Sequence, residues 1–266
     1  MKKLFRILCL ITVSSFLSSN TLYKNKENSL TRAVENKAFT YGEKLQYKIS
    51  YGLIDAGFAQ LEVKKSNTKI QDKSVYHIIG LGTSSKTFDW FFKIRDCYES
   101  FVDSSELVPL LFKRNVNEGG YKIYQNYEFD HQNRIVKTEK GEIQTKKHIQ
   151  DMLSCFYYAR TLGLNNLKKG DVLSFNAFVD GETYPLKVKF LGKDVVKIKA
   201  GKFKALKFCP IVQTGRIFKS EESLSVWISD DYNKTPLLIK AKILFGCLRM
   251  EMIKMEGELN PSGVIR

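Results

Sequence analysis

From Leu45 to Tyr51, apolar side chains take every odd position (Leu45, Tyr47, Ile49, Tyr51) and polar ones every even position (Gln46, Lys48, Ser50). That period of two predicts a half-buried strand. Gly52 interrupts the stripe, which resumes on odd positions at Ala59, Leu61 and Val63. Facing residues of a hairpin share a face, so two strands of equal parity need a loop with an odd count. The join is therefore expected as an odd loop around Ile54, Asp55 and Ala56, or as one long strand bent at Gly52 and Gly57. A two-residue turn fits only if a bulge intervenes.

The same alternation recurs down the chain. Strands are expected at Val75 to Gly82, Ile94 to Val102, Tyr121 to Phe129 and Ile135 to Glu139, with turns at Gly119-Gly120 and His131-Gln132-Asn133 and a connection at Pro109. Further on, Leu173, Phe175, Ala177 and Val179 are odd, whereas Tyr184, Leu186, Val188 and Phe190 are even. The two-residue turn Asp180-Gly181 reverses parity as a hairpin requires, and it places Phe175 opposite Leu186 and Leu173 opposite Val188. Gly192-Lys193-Asp194 reads as a three-residue loop into Val196, Ile198 and Ala200, which completes a three-strand meander. After Gly201 the parity is ambiguous, because Phe203 and Ala205 give way to Leu206 and Phe208. Leu224, Val226 and Ile228 alternate up to a turn at Asp230-Asp231. Ile239, Ala241, Ile243 and Phe245 alternate in turn, and past Gly246 the stripe flips to Leu248, Met250 and Met252, consistent with a bulge or turn there.

Only Asp151 to Leu164 shows helical spacing, with Leu153, Phe156, Tyr157, Thr161 and Leu164 on one face. Asp151 is the candidate N-cap, and Gly163 lies near the expected stop. The fold class expected is mainly β: a large antiparallel curved sheet, or a partly open barrel or meander, with one amphipathic helix packed on or in it. Residues 1–20 are expected as a signal peptide, 21–38 as a flexible lead-in, 39–258 as a single β-rich domain and 259–266 as a frayed tail.

Composition adds the compartment. MKKLFRILCLITVSSFLSSN has a basic head, an apolar run and small residues, the layout of an export signal, with cleavage expected near Ser18 to Thr21. Cys9 lies within the apolar run without the small-residue context of a lipid-attachment site. The run is too short to span a bilayer, so no transmembrane span is expected in the mature chain. The charge of +15 suits anionic partners, and removal of Lys2, Lys3 and Arg6 with the signal lowers it to +12. Lysines are dispersed along strands, as in QYKIS and LKVKF, which also fits solvent faces. Export argues against nucleic acid. Cys97, Cys155, Cys209 and Cys247 are widely spaced; they allow three disulfide pairings or serve as buried small hydrophobes.

Reactive chemistry is sparse. His77, His131 and His148 are scattered, and no zinc, phosphate-loop, dinucleotide or serine-nucleophile motif occurs. Asp96, Glu99 and Asp103 do not match a calcium loop, and Asp230-Asp231 reads as a turn pair. Arg160 is expected to meet a carboxylate such as Asp96 or Glu99, or to bind an anion if a cavity faces it. The run Phe88-Asp89-Trp90-Phe91-Phe92 reads as a core plug or covering loop, or as a hydrophobic lip at the mouth of a cavity.

Several stretches together resemble a bacterial exported family, domain of unknown function 3108. They are GEKLQYKISYGLIDAGFAQLEV (42–63), Trp90 with IRDCYESFVD (94–103), FKRNVNEGGY, the helix with Tyr157 and Arg160, AGKFKALKFCP (200–210) and LSVWISDDYNKTPLLIKAKILFG (224–246). The resemblance implies export, antiparallel β architecture and a single domain; it implies no activity and no cofactor. The function expected is that of an exported, non-enzymatic periplasmic binding or carrier protein for a hydrophobic ligand such as a lipid or lipoprotein. An envelope structural protein, or one that binds anionic polysaccharide, is the alternative, and a hydrolase stands third. Ligand-binding candidates are Phe88, Trp90, Phe91, Phe92, Tyr157, Arg160 and Trp227, with no catalytic or metal-ligating residue assigned.

Overall fold

A computed structural model describes residues 33–211, 223–243 and 246–265. The expected signal peptide, Cys9 and Phe245 lie outside these residues. The elements are β1 (Lys44–Tyr51), β2 (Ile54–Lys65), β3 (Val75–Ser84), α1 (Lys86–Asp89), β4 (Ile94–Asp103), β5 (Pro109–Glu118) and β6 (Tyr121–Asp130). They continue as β7 (Ile135–Thr138), β8 (Gly141–Gln144), α2 (Ser154–Arg160), β9 (Val172–Val179), β10 (Glu182–Ile198) and β11 (Gly201–Pro210). The last four are β12 (Leu224–Ser229), β13 (Pro236–Ile243), β14 (Gly246–Glu256) and β15 (Val264–Ile265).

Among the described residues, all fifteen strands join one sheet, in the order β8-β7-β6-β5-β4-β3-β2-β1-β14-β13-β12-β11-β10-β9, with β15 beside β11. Every named pair is antiparallel. β1 is the centre: β2 to β8 step away on one side, and β9 to β14 return to it on the other. The sheet curls so that its two edges share a core. Phe178 of β9 meets Tyr127 and Phe129 of β6 at 5.3 and 6.2 Å between ring centroids. Buried Arg114 of β5 donates to Asp180, in the β9–β10 turn, at 2.7 Å. α2 lies within the curl. Its Tyr158 packs on Phe175 of β9, Tyr157 on Phe39, and the preceding Leu153 over Gly80 of β3.

The β9–β10 hairpin has the expected register, Phe175 opposite Leu186 and Leu173 opposite Val188. Asp180 and Gly181 both have positive φ, 52° and 86°, as a two-residue turn between right-twisted strands requires. The β1–β2 join takes neither the odd loop nor the single bent strand but the remaining case, a two-residue turn with a bulge. Gly52 and Leu53 make a two-residue turn between Tyr51 and Ile54, and a register shift at Ala56 restores equal parity. Sequence parity counts residues but does not show where an extra one is absorbed.

Other departures share that origin. Gly192–Asp194 is no loop: β10 runs through it with Leu191 out of register, and the turn comes at Lys199-Ala200. The parity ambiguity of β11 has a physical reason. Phe203 and Ala205 pack with Tyr47, Trp227 and Leu237, while Leu206 and Phe208 pack with Phe190 and Leu164, so both faces are buried. The helix is shorter than Asp151 to Leu164, and its burial is not a single stripe. Phe156 is exposed and Tyr158 buried, because α2 is covered from more than one side. Asp151 does cap it: Oδ1 accepts from the amides of Leu153 and Ser154, and Ser154 Oγ accepts from the Asp151 amide. A second helix, α1, adds one turn within the aromatic run. Residues 21–32 of the expected lead-in lie outside the described residues; contacts on either side of the domain are made by residues 33–38 and by the tail. The Val34 amide bonds Ser105 O, Ala38 is buried, and β15 pairs with Lys202 and Phe203.

The bulge at Ala56 brings backbone close to Gly57, where an added Cβ would sit 2.2 Å from the Thr83 carbonyl oxygen. Gly57→Ala is expected to cost about 1–3 kcal/mol in urea unfolding, because the β2–β3 ladder must shift. Gly82→Ala, whose Cβ would meet Asp96 Cβ at an ordinary 3.7 Å, should leave the midpoint almost unchanged.

Candidate functional site

Strand polarity sorts the connections to two ends of the sheet. At one end lie the β1–β2 turn, α1 with the residues up to Lys93, the β5–β6 turn Gly119-Gly120 and the close of β13 onto β14. Hydrogen bonds tie these pieces together. The Ser85 amide bonds Ala56 O, Ser85 Oγ bonds Asp55 O at 2.7 Å, and the Gly119 amide bonds Lys93 O at 2.8 Å. Large apolar side chains stand exposed along this rim. Trp90 is 85% and Phe91 49% exposed, and Leu53, Ile54 and Phe58 are exposed beside them.

Local sequence explains why these residues stay outside. Phe88 and Phe92 are held by the fold: Phe88 packs against the cluster of Ile49, Ala56, Ile239 and Leu248, and the Phe92 ring lies against Gly119. With those two rings turned inward, the short α1 turn leaves Trp90 and Phe91 facing out, edge to face with centroids 6.1 Å apart. Within the aromatic run, Phe88 and Phe92 thus cover packed side chains, while Trp90 and Phe91 stand outside them. Together these side chains form an apolar group exposed at one end of the sheet.

Tyr157, Arg160 and Trp227 are elsewhere. Arg160 is buried and forms a two-pronged ion pair with fully buried Glu43, Nη1 to Oε1 at 2.7 Å and Nη2 to Oε2 at 2.6 Å. Its Nε donates to Asn233 O at 3.0 Å and Nη2 to Ala38 O at 3.1 Å. The guanidinium also lies 5.3 and 5.1 Å from the rings of Phe39 and Tyr157. Burial pulls the Arg160 pKa down, and the Glu43 carboxylate more than restores it, so the group stays charged. Burial pushes the Tyr157 and Tyr47 hydroxyls well up. Asn233 and Asn260 bond each other, and Asn260 also holds Lys37 O at 2.8 Å. This is a knot joining the segment before β1, α2, the β12–β13 loop and the tail. The expected partners Asp96 and Glu99 are not in it. Asp96 accepts from the Asn117 amide, and Glu99 Oε1 accepts from His77 Nε2, 2.8 Å away.

Trp227 is buried and donates Nε1–H to Asp194 at 2.7 Å, with Lys207 and Lys240 over its ring at 4.9 and 5.5 Å. Its role is in packing. Asp96, Arg160 and Asp230 are not gathered: burial raises the Asp96 carboxyl pKa within β4, and Asp230 pairs with Lys193 at 2.9 Å. Cys97, Cys155, Cys209 and Cys247 are free thiols. Among the described residues no three His, Cys, Asp or Glu side chains form a metal-binding group, and no helix is long and apolar enough to cross a membrane. At the far end of the sheet a half-open cleft of about 330 Å³ is lined by Lys73, Phe129, Asp130, His131, Gln132 and Lys137. Leu110 joins Phe129 in its lining, and the other lining residues are polar or charged. His131, its pKa lowered by burial, is occupied with Pro109 O at 2.6 Å.

Sequence reasoning singled out Trp90 and Phe91 but missed Leu53, Ile54 and Phe58. Their odd–even pattern gave no sign, because the bulge between them changes which face each one takes. Glu43 was missed too, since one Glu ahead of a strand looks like any solvated charge.

Residues 46–253 match a family described as "Protein of unknown function (DUF3108)". No functionally curated protein matches the sequence. A beta-barrel-like protein of domain of unknown function DUF1849 from Brucella abortus shares the fold, with TM-score 0.55 and 10% identity over 85% of this chain and 98% of that one. The hypothetical protein CT021 from Chlamydia trachomatis is similar more loosely, with TM-score 0.38 and 7% identity over 85% and 92% of the two chains.

Proposed function

The chain belongs to the DUF3108 family, a family without an assigned activity, and from that premise we propose that it is an exported, non-enzymatic cell-envelope protein that binds hydrophobic material through its apolar rim. The observation that carries this reading is the exposure of Trp90 and Phe91 beside Leu53 and Ile54 at one end of the sheet. The carrier expected from sequence would have held its ligand inside the curl. That space is taken by α2, Phe39, Tyr157, Tyr158 and Phe178, which are buried against one another and the sheet. Contact therefore moves from an interior pocket to the outer rim, where acyl chains of assembled lipid or lipoprotein are within reach.

The reading is tested with uncharged lipid. Wild-type protein should co-sediment with phosphatidylcholine vesicles, and Trp90→Ser/Phe91→Ser should weaken that partition at least tenfold, since each ring contributes about 1.5–3 kcal/mol on full burial. Equal partition of the two proteins would defeat the reading. Both side chains are already exposed, so the folded state should survive their loss.

A further inference from the structure

The rim carries cations among its apolar groups. Lys86, Lys93, Lys122 and Lys242 are exposed on the same turns and strand ends that present Leu53, Trp90 and Phe91. The carboxylates nearby are engaged: Asp89 by Arg95 at 2.6 Å and by Ser84, Asp55 by Lys48 at 2.6 Å, while Glu118 is buried. Arg95 and Ser84 together hold the Asp89 carboxyl at about 2, so it keeps its charge and its partner. What the rim offers to solvent is therefore aromatic and aliphatic surface interleaved with ammonium groups.

That combination discriminates between partners. Protein–protein contact cores are depleted of lysine, and a glycan has no use for a fully exposed Leu53 or for Ile54. A bilayer interface uses both: indole and phenyl rings settle at the headgroup level, aliphatic side chains enter the acyl boundary, and lysines extend along apolar surface to reach phosphates. We infer that this rim is a docking face for an anionic phospholipid bilayer. Leu53, Trp90 and Phe91 enter the acyl boundary, and Lys86, Lys93 and Lys122 meet the headgroup phosphates. The inference rests on reading the rim as a hydrophobic contact surface, and adds the charge of the surface it meets. The net charge, +15 for the whole sequence and +12 without Lys2, Lys3 and Arg6 of the export signal, strengthens the approach to such a surface at low salt.

Trp90 is a built-in reporter. The chain has two tryptophans, and Trp227 is already buried, so a change of emission on docking comes from Trp90. Full-length protein is titrated with vesicles of phosphatidylglycerol mixed with phosphatidylcholine, and with phosphatidylcholine alone, at low and high salt. The expected result is a blue shift with both, at least tenfold tighter binding to the anionic vesicles, and loss of that advantage in high salt. Leu53→Ser/Ile54→Ser, which keeps the reporter, should weaken both titrations several-fold. The triple variant Lys86→Glu/Lys93→Glu/Lys122→Glu should bind anionic vesicles no better than neutral ones. Equal wild-type affinity for the two vesicles overturns the headgroup inference and leaves the rim reading standing. No blue shift with either overturns both. A wild-type dimer in sedimentation that Leu53→Ser/Ile54→Ser converts to monomer shows a second copy covering the rim, and also overturns the inference.

Discussion

Replacing Glu43 by Gln, or Arg160 by Met, should lower the unfolding free energy by about 3–5 kcal/mol in a urea titration, because either change strands a charge or its unsatisfied partners in the interior. Both side chains are almost wholly buried, and the pair is held by two parallel hydrogen bonds of 2.7 and 2.6 Å. The remaining guanidinium donors go to Asn233 O and Ala38 O, so the arginine has little room to turn to another acceptor. In Glu43→Gln the positive charge stays without a counter-ion; in Arg160→Met the carboxylate does. The double variant Glu43→Gln/Arg160→Met should lose less than the sum of the two, since no uncompensated charge is left. A loss under about 1 kcal/mol in each single variant would show that the pair is weakly coupled to the fold. The knot also ties the chain before β1 and the tail to α2, so protection of the Phe39 and Asn260 amides from hydrogen exchange should fall with it.

The second large effect is a dependence on pH. Asp151 is fully buried, and desolvation raises its pKa to about 6, against opposing hydrogen bonds from Ser100 and from the Ser154 and Leu153 amides. Its folded value lies above the unfolded one, so the native state holds the extra proton between them. The contribution of Asp151 to stability is therefore fully present below about pH 4 and is lost as pH rises through about 6. At neutral pH the ionised group costs on the order of 3 kcal/mol relative to a carboxyl with an ordinary pKa. Asp151→Asn keeps an oxygen for the two amides and carries no charge. Its stability relative to wild type should rise by up to about 3 kcal/mol between pH 4 and pH 7. Asp89, Asp130 and Asp194, whose pKa values are lowered by their hydrogen bonds, act in the opposite sense as pH falls, but equally in both proteins. A flat difference across that range would show that Asp151 titrates like a surface carboxylate.

These two sites show how unevenly the sequence discloses the molecule. The β9–β10 register followed from parity and one turn, because Asp180-Gly181 is local and leaves no residue unaccounted for. Asp151 was legible as a cap for the same reason: its partners lie two and three residues away. Its burial was not, since that depends on Ser100 of a strand fifty-one positions earlier. Of the ligand candidates, Trp90 and Phe91 were visible as a dense aromatic run, yet the inward turn of Phe88 and Phe92 rests on contacts with Ile239 and Gly119.

By itself the sequence determined the antiparallel β class, the position of the capped helix, the family and most strand faces. Each of these depends on residues that repeat or bond within a few positions. Only the tertiary structure decided that Ala56 is bulged, that Glu43 rather than Asp96 or Glu99 meets Arg160, and that Tyr157 and Tyr158 of α2 are buried with Phe39 and Phe178. It also brought Leu53, Trp90 and Lys122 to one end of the sheet. Those outcomes depend on which distant strands become neighbours, and a pattern of period two carries no information about that.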